Sequence, residues 1–552
     1  MLNLLNQPAG MRKLLEKMGE KQIIPRLWAH DFRVWSEDPT EIMNRLGWLH
    51  LPETMSKAIS DIERFAEETK QEGVKDVLLL GMGGSSLAPE TFARSFGSRD
   101  GYPRIHVLDS THPDAIQALI GSVNLSNTLV IVATKSGTTT ETLSFFRHVY
   151  GLIAHIAGED AGKQFAAITD PGSSLVSLAA EHQFRRVFEN DPNLGGRYSA
   201  LSHFGLVPAA LIGIDIETLL TRAQSVARAC TQAEDLERNP GAALGAFLGS
   251  AAVAGRDKAT FFLPQSIVGF GDWVEQLIAE STGKQGLGIL PVVGEAPGAL
   301  DAYGDDRIFA QVTVSGEAPY EDLIRAAEDA GHPVARIGID DVADLGALFF
   351  LWEMATAVAG HVLGINPFDQ PNVEAAKILA RKMVQDFEAT GQLPPSEEKP
   401  AAVEALRTFL EPTLSGGYVA IQAYLPPTPA TGQALAALQA TIRDTTQMAT
   451  TSGYGPRFLH STGQLHKGDG GRGRFIQFVV APKSDIEIPD SRAADGHSLS
   501  FGTLISSQAA GDRQALIDAG RRVLTLRLDT DEVAEQLKRL AEGLSREARN
   551  RK

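Results

Sequence analysis

The pattern of apolar and polar positions changes character near Gly73. Before it, the chain is polar with helical spacing, as in SKAISDIERFAEETKQEG, where apolar residues recur three or four positions apart. After it, short runs rich in valine, isoleucine and leucine alternate with helix-like segments, and the first four runs are VKDVLLLG, RIHVLDS, NTLVIVAT and KQFAAITD. Because strands that alternate with helices form parallel sheets covered on both faces, this part is predicted to be α/β.

The alternation continues in two further blocks. One contains ATFFLP, GILPVV, FAQVTV and VARIGI, and the other contains GYVAIQAYL, RFIQFVVAP and RRVLTLRL. Between them, QLPPSEEKPAA has prolines, a charge cluster and no periodicity, which is typical of a linker. The predicted organisation is a helical segment (1–72), two α/β units (73–238 and 239–391), a linker (392–402) and a smaller C-terminal α/β extension (403–552).

Composition narrows the class of protein. Of 552 residues, 43% are apolar and 22% charged, as in ordinary globular proteins. The formal charge of −17 argues against nucleic-acid or anionic-membrane partners, because both need a basic surface. The longest apolar stretch, residues 347–364, contains Glu353 and His361 and predicts a buried helix rather than a membrane span. A single cysteine, Cys230, and an N-terminus without a secretory signal predict a cytoplasmic protein.

The first predicted strand runs into a glycine-rich turn, GMGGSSLAP, which begins at Gly81. Glycines at a strand end let the backbone approach a ligand, and a following helix N-terminus offers free N–H groups to an anion. A dinucleotide site would require glycine where Ser86 stands, although Asp109 after the next strand could bind a ribose. A structural tight turn is the other alternative.

The third predicted strand runs into TKSGTTTET, residues 134–142, at the start of an apolar helix. Hydroxyls, backbone N–H groups and Lys135 at a helix N-terminus are what a phosphate monoester needs. The segment is not a Walker motif, so ATP chemistry is disfavoured. The alternative is a threonine-rich helix cap without a ligand.

Three later segments carry residues that could act on a bound phosphate ester. Arg197 follows two glycines in GGRYS, and Gln276 and Glu280 share one helix face before ESTGK. A carboxylate at a helix C-terminus has its pKa raised by the helix dipole, whereas Lys284 opposes that shift. In NPFDQPNVEAAK, Gln370 and the lysine at position 377 are seven residues apart and can face one cavity. Each of these residues, taken alone, is more typical of an ordinary protein surface than of a site.

Metal and hydrolase motifs are absent from the sequence. The thirteen histidines include no H-E-x-x-H, the single cysteine excludes C-x-x-C, and G-x-S-x-G does not occur. The one ligand-like segment, DSTHPD at residues 109–114, is more typical of a strand-end turn. No metal ion is therefore predicted.

Together, GMGGSSLAP, TKSGTTTET, GGRYS, ESTGK and NPFDQPNVEAAK resemble the glucose-6-phosphate isomerase family, in the same order and with similar spacing. The resemblance covers roughly residues 25–390. The opening and the long C-terminal extension resemble the isomerase half of bacterial transaldolase/glucose-6-phosphate isomerase fusions. No transaldolase barrel precedes the motifs, so that activity is not expected.

The resemblance implies a fold of two sugar-isomerase (SIS) type three-layer sandwich subdomains with parallel sheets, usually in a homodimer. It also implies a role for each matching residue. The catalytic group would hold Glu280 as base, Arg197 as the cation that stabilises the enediolate, and Lys377. The substrate-binding group would hold Gly84, Ser85, Lys135, Ser136, Thr138, Thr139, Thr142, Gln276 and Gln370.

The implied reaction is the reversible interconversion of glucose 6-phosphate and fructose 6-phosphate in glycolysis and gluconeogenesis. One carboxylate can move the proton between C2 and C1 through a cis-enediol, so no metal or redox cofactor is needed. An isomerase that also accepts mannose 6-phosphate is a close alternative. A non-catalytic sugar-phosphate sensor is the other, and it would need Ser136 and Thr139 but not Glu280.

One departure from the family pattern concerns opening of the sugar ring. Where the family typically has a G-Q-H segment with a ring-opening histidine, this chain has Asp306 at the place of the histidine. Either Asp306 handles that proton or another group does. His460 and His466, within GPRFLHSTGQLHKG of the extension, are the candidates for entering the site, and an exposed loop is the alternative.

Overall fold

The computed structural model describes residues 2–391, 397–489 and 499–551. Residues 392–396 of the predicted linker therefore lie outside the described residues. The N-terminal segment contains strand β1 (Leu2–Leu5) and helices α1 (Met11–Glu20), α2 (Ile23–Trp28), α3 (Leu51–Thr54) and α4 (Ile59–Gln71). The sequence predicted a helical segment for residues 1–72, and strand β1 was not predicted.

The first sheet is all parallel. Its strands are β2 (Asp76–Gly81), β3 (Arg104–Leu108), β4 (Thr128–Ala133), β5 (Phe165–Thr169) and β6 (Arg186–Glu189). Its helices are α5 (Leu87–Phe96), α6 (Pro113–Ser122), α7 (Thr140–Ala157) and α8 (Ser174–Glu181). The spatial order is β3-β2-β4-β5-β6. Strands β2, β4 and β5 are buried along their whole length, which explains why they read as continuous apolar runs.

The second sheet follows three connecting helices, α9 (His203–Leu211), α10 (Ile216–Ala229) and α11 (Pro240–Val253). It contains β7 (Lys258–Phe262), β8 (Leu290–Val292), β9 (Arg307–Val314) and β10 (Val334–Ile339), with helices α12 (Phe270–Thr282), α13 (Glu321–Asp329) and α14 (Leu345–Leu363). These four strands are parallel. The N-terminal strand β1 joins them antiparallel at the edge, so that Leu2 pairs with Ile337.

The C-terminal block forms a third parallel sheet in the order β11-β15-β14-β12-β13. After helix α15 (Val373–Thr390) come β11 (Lys399–Pro400), α16 (Val403–Leu410), β12 (Tyr418–Tyr424), α17 (Pro429–Thr446) and β13 (Ala449–Tyr454). They are followed by α18 (Gly463–Gly468), β14 (Gly473–Val479), α19 (Phe501–Asp518), β15 (Arg522–Arg527) and α20 (Val533–Arg551). The predicted α/β class with parallel sheets is confirmed.

Helix α14 is the central helix of the largest core. Among the described residues, one segment, Val342–Leu363, is long and apolar enough to cross a membrane, and 78% of its most apolar window is buried inside the protein. It packs on α11, where glycines recur every fourth residue. A Cβ at Gly245 would lie 2.4 Å from the Ala355 carbonyl oxygen, so the two backbones approach closely only because that position has no side chain.

Glu353 on α14 is fully buried, and its carboxyl oxygens have no hydrogen-bond partner among the described residues. Burial raises the pKa of Glu353 well above its ordinary value of 4.5. Replacing Glu353 with glutamine is therefore expected to stabilise the protein increasingly above pH 4.5, by about 1.4 kcal/mol per pH unit until the raised pKa is reached.

The sign follows from the proton balance between the two states. Above pH 4.5 the unfolded chain releases the proton of Glu353 while the folded chain keeps it, so stability falls as the pH rises. Urea unfolding of the native protein and of Glu353→Gln between pH 4.5 and 8 measures the difference. The exposed Glu20→Gln is the control. A difference that does not change with pH would contradict the prediction.

Candidate active site

A cavity of about 820 Å³ opens where the three sheets' loops and helices meet. Of the residues predicted for the site, the cavity wall includes all but Thr142 and Asp306. Those present are Gly84, Ser85, Lys135, Ser136, Thr138, Thr139, Arg197, Gln276, Glu280, Gln370 and Lys377. Residues scattered over nearly three hundred positions of the chain are thus brought to one place.

One end of the cavity is the loop between β4 and α7. Ser136 Oγ lies 2.9 Å from Thr138 Oγ1, and Thr134 Oγ1 lies 2.8 Å from Thr139 Oγ1. Thr139 is the N-cap residue of the eighteen-residue α7, and no side chain caps the helix there. Free N–H groups, hydroxyls and the helix dipole therefore face the cavity together, which suits a phosphate group.

Lys135 gives this end its positive charge. Its Nζ forms a close ion pair with Asp170 and also donates to the Pro192 carbonyl oxygen at 3.3 Å. Burial raises the pKa of Asp170, although Lys135 opposes that shift. Thr142, by contrast, lies one turn into α7 and is fully buried. The structure therefore does not bring Thr142 to the cavity wall.

Arg197, whose side chain is buried, forms another part of the cavity wall. Its Nε donates to Ser281 Oγ at 2.7 Å, its Nη1 donates to Gln370 Oε1 at 3.1 Å, and its Nη2 donates to the backbone carbonyls of Pro367 and Asp369. These bonds fix the guanidinium plane. They leave its Nη1 edge 3.6 Å from Glu280 Oε1, so cation and carboxylate lie side by side at the cavity.

Glu280 and Gln276 extend from successive turns of α12, as their spacing predicts. Gln276 Nε2 donates to Glu280 Oε2 at 3.2 Å, and both side chains are buried. Lys284 lies close enough to Glu280 for their charges to interact, as its sequence position suggested, and its Nζ donates to Asp369 Oδ1 at 2.6 Å. Burial, followed by the charge of Arg197, lowers the pKa of Lys284 to about 8 against the opposing effect of Asp369.

The glycine-rich turn after β2 serves packing as well as the cavity. Gly84 packs against the Arg197 loop, where a Cβ would lie only 2.0 Å from the Gly196 carbonyl oxygen. Gly83 has φ +54° and packs against the C-terminal block: its Cβ would lie 2.9 Å from the His460 carbonyl oxygen and 2.8 Å from Gln276 Nε2. The two glycines thus leave room for other segments of the protein to pack closely against the turn. The sequence alone did not reveal this packing requirement.

Asp306 does not reach the cavity, which corrects the expectation that it handles the ring proton. It precedes β9 at the amino-terminal edge of the second sheet, where its Oδ2 lies 3.6 Å from Lys258 Nζ. Lys258 also forms a close ion pair with Asp257. The aspartate therefore belongs to a charged group away from the cavity.

His460 is the histidine that enters the cavity. Its Nε2 lies 3.1 Å from Glu141 Oε1, and its carbonyl oxygen accepts a 2.6 Å hydrogen bond from Gln276 Nε2. His466 instead is buried on α18, with its ring 5.0 Å from the ring of Phe475. Burial lowers the pKa of His466 well below its ordinary value, so it is held neutral.

Glu141, on the first turn of α7, joins the phosphate loop to the C-terminal block. Its Oε1 also accepts a hydrogen bond from Gln508 Nε2 at 2.8 Å. Burial alone would raise the pKa of Glu141, but the charge and hydrogen bond of His460, together with a backbone hydrogen bond and the charge of Lys377, keep that pKa below its usual value. Glu141 is therefore an ionised partner for the imidazole.

Several cavity residues were missed by the sequence analysis. Arg45 comes from the N-terminal segment, where its Nη2 donates to Glu41 Oε2 at 2.7 Å, and Arg381 comes from α15. The C-terminal block adds more than His460. The wall residues missed from that block are Leu459, Lys467, Leu504 and Gln508. A charged residue on a helix or loop carries no local signal of what it faces.

No group of three or more histidine, cysteine, aspartate or glutamate side chains suited to a metal ion occurs within residues 2–391, 397–489 and 499–551.

Comparison with known proteins identifies relatives of the chain. The sequence model described as Phosphoglucose isomerase matches residues 53–290. The glucose-6-phosphate isomerase of Rubrobacter xylanophilus is 31% identical over 423 residues, which cover 66% of this chain and 95% of the relative. A probable glucose-6-phosphate isomerase of Methanococcus maripaludis is 31% identical over 366 residues, covering 59% and 81% respectively.

Solved structures agree in fold. A hypothetical protein from Thermus thermophilus superposes with a TM-score of 0.61 at 26% identity, covering 70% of this chain and 100% of that one. A glucose-6-phosphate isomerase from Chlamydia trachomatis superposes with a TM-score of 0.58 at 17% identity, covering 72% and 88%. On these matches, the chain belongs to the phosphoglucose isomerase family.

Proposed function

We propose that this protein catalyses the reversible isomerisation of D-glucose 6-phosphate and D-fructose 6-phosphate through a cis-enediol intermediate. The observation that carries the proposal is the pairing of Glu280 and Arg197, 3.6 Å apart, on the same cavity as the phosphate loop. A sensor would need the loop but not this pair.

Glu280 is the proposed base. Its carboxylate removes the proton from C2 of the open-chain aldose and returns it to C1, so the same group serves in both directions. The negative charge that develops on the substrate oxygen lies next to Arg197, whose guanidinium is fixed by Ser281 and Gln370 before the substrate arrives. A cation oriented in advance stabilises the enediolate without reorganisation during the reaction.

The phosphate loop is proposed to position the sugar. The phosphate sits far from C1 and C2, so its binding free energy holds the reacting carbons against Glu280 without changing during the reaction. Lys377, on α15, and Gln370 are proposed to reach the sugar from the other side of the cavity.

Lys135→Met is expected to raise KM for fructose 6-phosphate by about 10- to 150-fold, the range for one charge-assisted hydrogen bond of about 1.5–3 kcal/mol. Turnover at saturation should change less, because the phosphate is remote from the reacting carbons. Steady-state kinetics measure both. Lys163→Met, at an exposed lysine, is the control. An unchanged KM would remove Lys135 from the phosphate site.

His460 is proposed to open the sugar ring. Ring opening moves a proton from the anomeric hydroxyl to the ring oxygen, which needs a group that both gives and accepts a proton near neutral pH, and imidazole is the usual one. Glu141 Oε1 lies 3.1 Å from His460 Nε2, so the carboxylate holds the imidazole ring of His460 in its orientation and stabilises the imidazolium form. The relay thus combines a residue of the first sheet's helix α7 with one of the C-terminal block.

We further propose that the enzyme works in the cytoplasm, in glycolysis and gluconeogenesis, and as a homodimer. The single cysteine, Cys230, is buried, and burial raises its thiol pKa to about 12, so that side chain is unreactive. The family resemblance supports the homodimer, and sedimentation of the purified protein tests it.

The direct test is conversion of fructose 6-phosphate by the native protein in deuterated water. Turnover with deuterium entering C2 of glucose 6-phosphate supports the proton-transfer mechanism. Including mannose 6-phosphate in parallel decides whether the enediol is also protonated from its other face. Binding of the sugar phosphate without turnover or exchange would overturn the proposal in favour of a sensor.

A further inference from the structure

An arginine of the C-terminal block is inserted between the first two sheets' helices. Arg457 forms a close ion pair with Glu90 on α5, and its Nη1 lies 3.2 Å from Asp109 Oδ2 after β3. Its Nη2 lies 3.4 Å from Asp272 Oδ2 on α12. One guanidinium therefore joins all three parts of the molecule that surround the cavity.

Three carboxylates meet at this guanidinium. Arg94, on α5, reaches Asp272 at 3.0 Å, whereas Arg457 reaches all three acids. Burial, only partly offset by Arg457, raises the pKa of Asp109 to about 6. Without Arg457 the acids would repel one another, and the C-terminal block would lose this attachment.

The same short turn carries His460. A 3₁₀ turn spans Arg457–His460, and its end is closed by a hydrogen bond from the Ser461 N–H to the Phe458 carbonyl oxygen at 3.1 Å. Because the turn is rigid and only four residues long, the position of its first side chain, Arg457, determines the position of its last, His460. Arg457 faces the acids while His460 faces Glu141 and the cavity.

We infer that Arg457 is a positioning residue for ring opening: by binding Glu90, Asp109 and Asp272 it holds the turn so that His460 meets Glu141 at the cavity. This inference rests on the proposed function. The Gln276 hydrogen bond to the His460 carbonyl oxygen and the close packing at Gly83 do not involve Arg457, so in its absence we expect the turn to stay nearby but no longer to be fixed.

The test compares Arg457→Met, Arg457→Lys and Arg94→Met. Arg94→Met is the matched control, because Arg94 touches the same Asp272 but lies on α5 and not on the His460 turn. Each variant is assayed with fructose 6-phosphate, which must open its ring. Each is also assayed for deuterium exchange at C2 of erythrose 4-phosphate, which stays open-chain because its terminal hydroxyl is phosphorylated.

For Arg457→Met we expect turnover of fructose 6-phosphate to fall by about 10²-fold, within the range of general acid–base catalysis, while exchange on erythrose 4-phosphate changes by less than about twofold. Lysine lacks the planar fork that contacts several carboxylates, so Arg457→Lys should restore only part of the loss. Arg94→Met should leave both reactions unchanged. Equal losses in both reactions, or no loss in either, would overturn the inference.

Amide hydrogen exchange gives a readout that needs no substrate. Arg457→Met should lose protection over residues 457–468 and keep it in β2, β4 and β5; unchanged protection over 457–468 overturns the inference even if the protein proves inactive. If Arg457→Met fails to fold, Glu90→Gln removes one charged contact and should give a smaller selective loss on fructose 6-phosphate. Absence of that selective loss would likewise overturn it.

Discussion

Glu280→Gln is expected to lower turnover of fructose 6-phosphate by about 10²- to 10⁴-fold and to abolish deuterium entry at C2, because the amide cannot accept the proton. Glutamine keeps the size of the side chain, and Arg197 is held by Ser281 and Gln370 independently of Glu280. Substrate binding, measured by titration calorimetry, should therefore survive. The variant separates the chemical step from assembly of the site.

Glu275→Gln is the matched control for this experiment. Glu275 lies on the same helix, but its Oε1 faces Ser461 Oγ at 3.4 Å. Burial, and then the charge of Asp272, raises the pKa of Glu275 to about 8, so at neutral pH it already carries a proton that an amide can replace. Residual exchange in Glu280→Gln equal to that of Glu275→Gln would show that another group is the base.

His460→Asn is expected to lower turnover of fructose 6-phosphate by about 10²-fold or more and to leave exchange on erythrose 4-phosphate close to the native rate. Asparagine cannot relay a proton, whereas Glu280 and Arg197 remain in place for the open-chain aldehyde.

The matched control is His466→Asn, six residues further along the same segment. His466 is buried against Phe475 and away from the cavity, so its loss should reduce stability without changing the ratio of the two reactions. Equal ratios for the two histidine variants would contradict the assignment. Melting temperatures measured alongside keep loss of folded protein separate from loss of ring opening.

The sequence predicted those features that depend on local pattern. Buried strands such as β4 read directly as apolar runs, and the phosphate loop was recognised because hydroxyls and Lys135 cluster at a helix start. The spacing of Gln276 and Glu280 placed both on one face of α12, where the structure has them. Each of these signals lies within about ten residues of chain.

Features that depend on contacts between residues far apart in the sequence were not predicted. Asp306 was assigned to the cavity by its place in a family pattern, but its carboxylate faces Lys258. Gly83 was interpreted as a ligand-approach glycine, yet it makes room for a residue nearly four hundred positions later. Arg457 lies in the segment GPRFLHSTGQLHKG, but its contact with three acids was not predicted, because an arginine in a loop gives no sign of the acids around it. Such contacts are set by tertiary packing.

Strand β1 has a consequence for how the protein is made. Leu2 pairs with Ile337, so Leu2 leaves the ribosome before a partner that lies more than three hundred residues later in the chain. At about 5–20 residues per second, that interval lasts about 20–70 s. The four residues Leu2–Leu5 therefore remain without their sheet until β10 has been made, and the β1 edge is the last part of the second sheet that can form during synthesis.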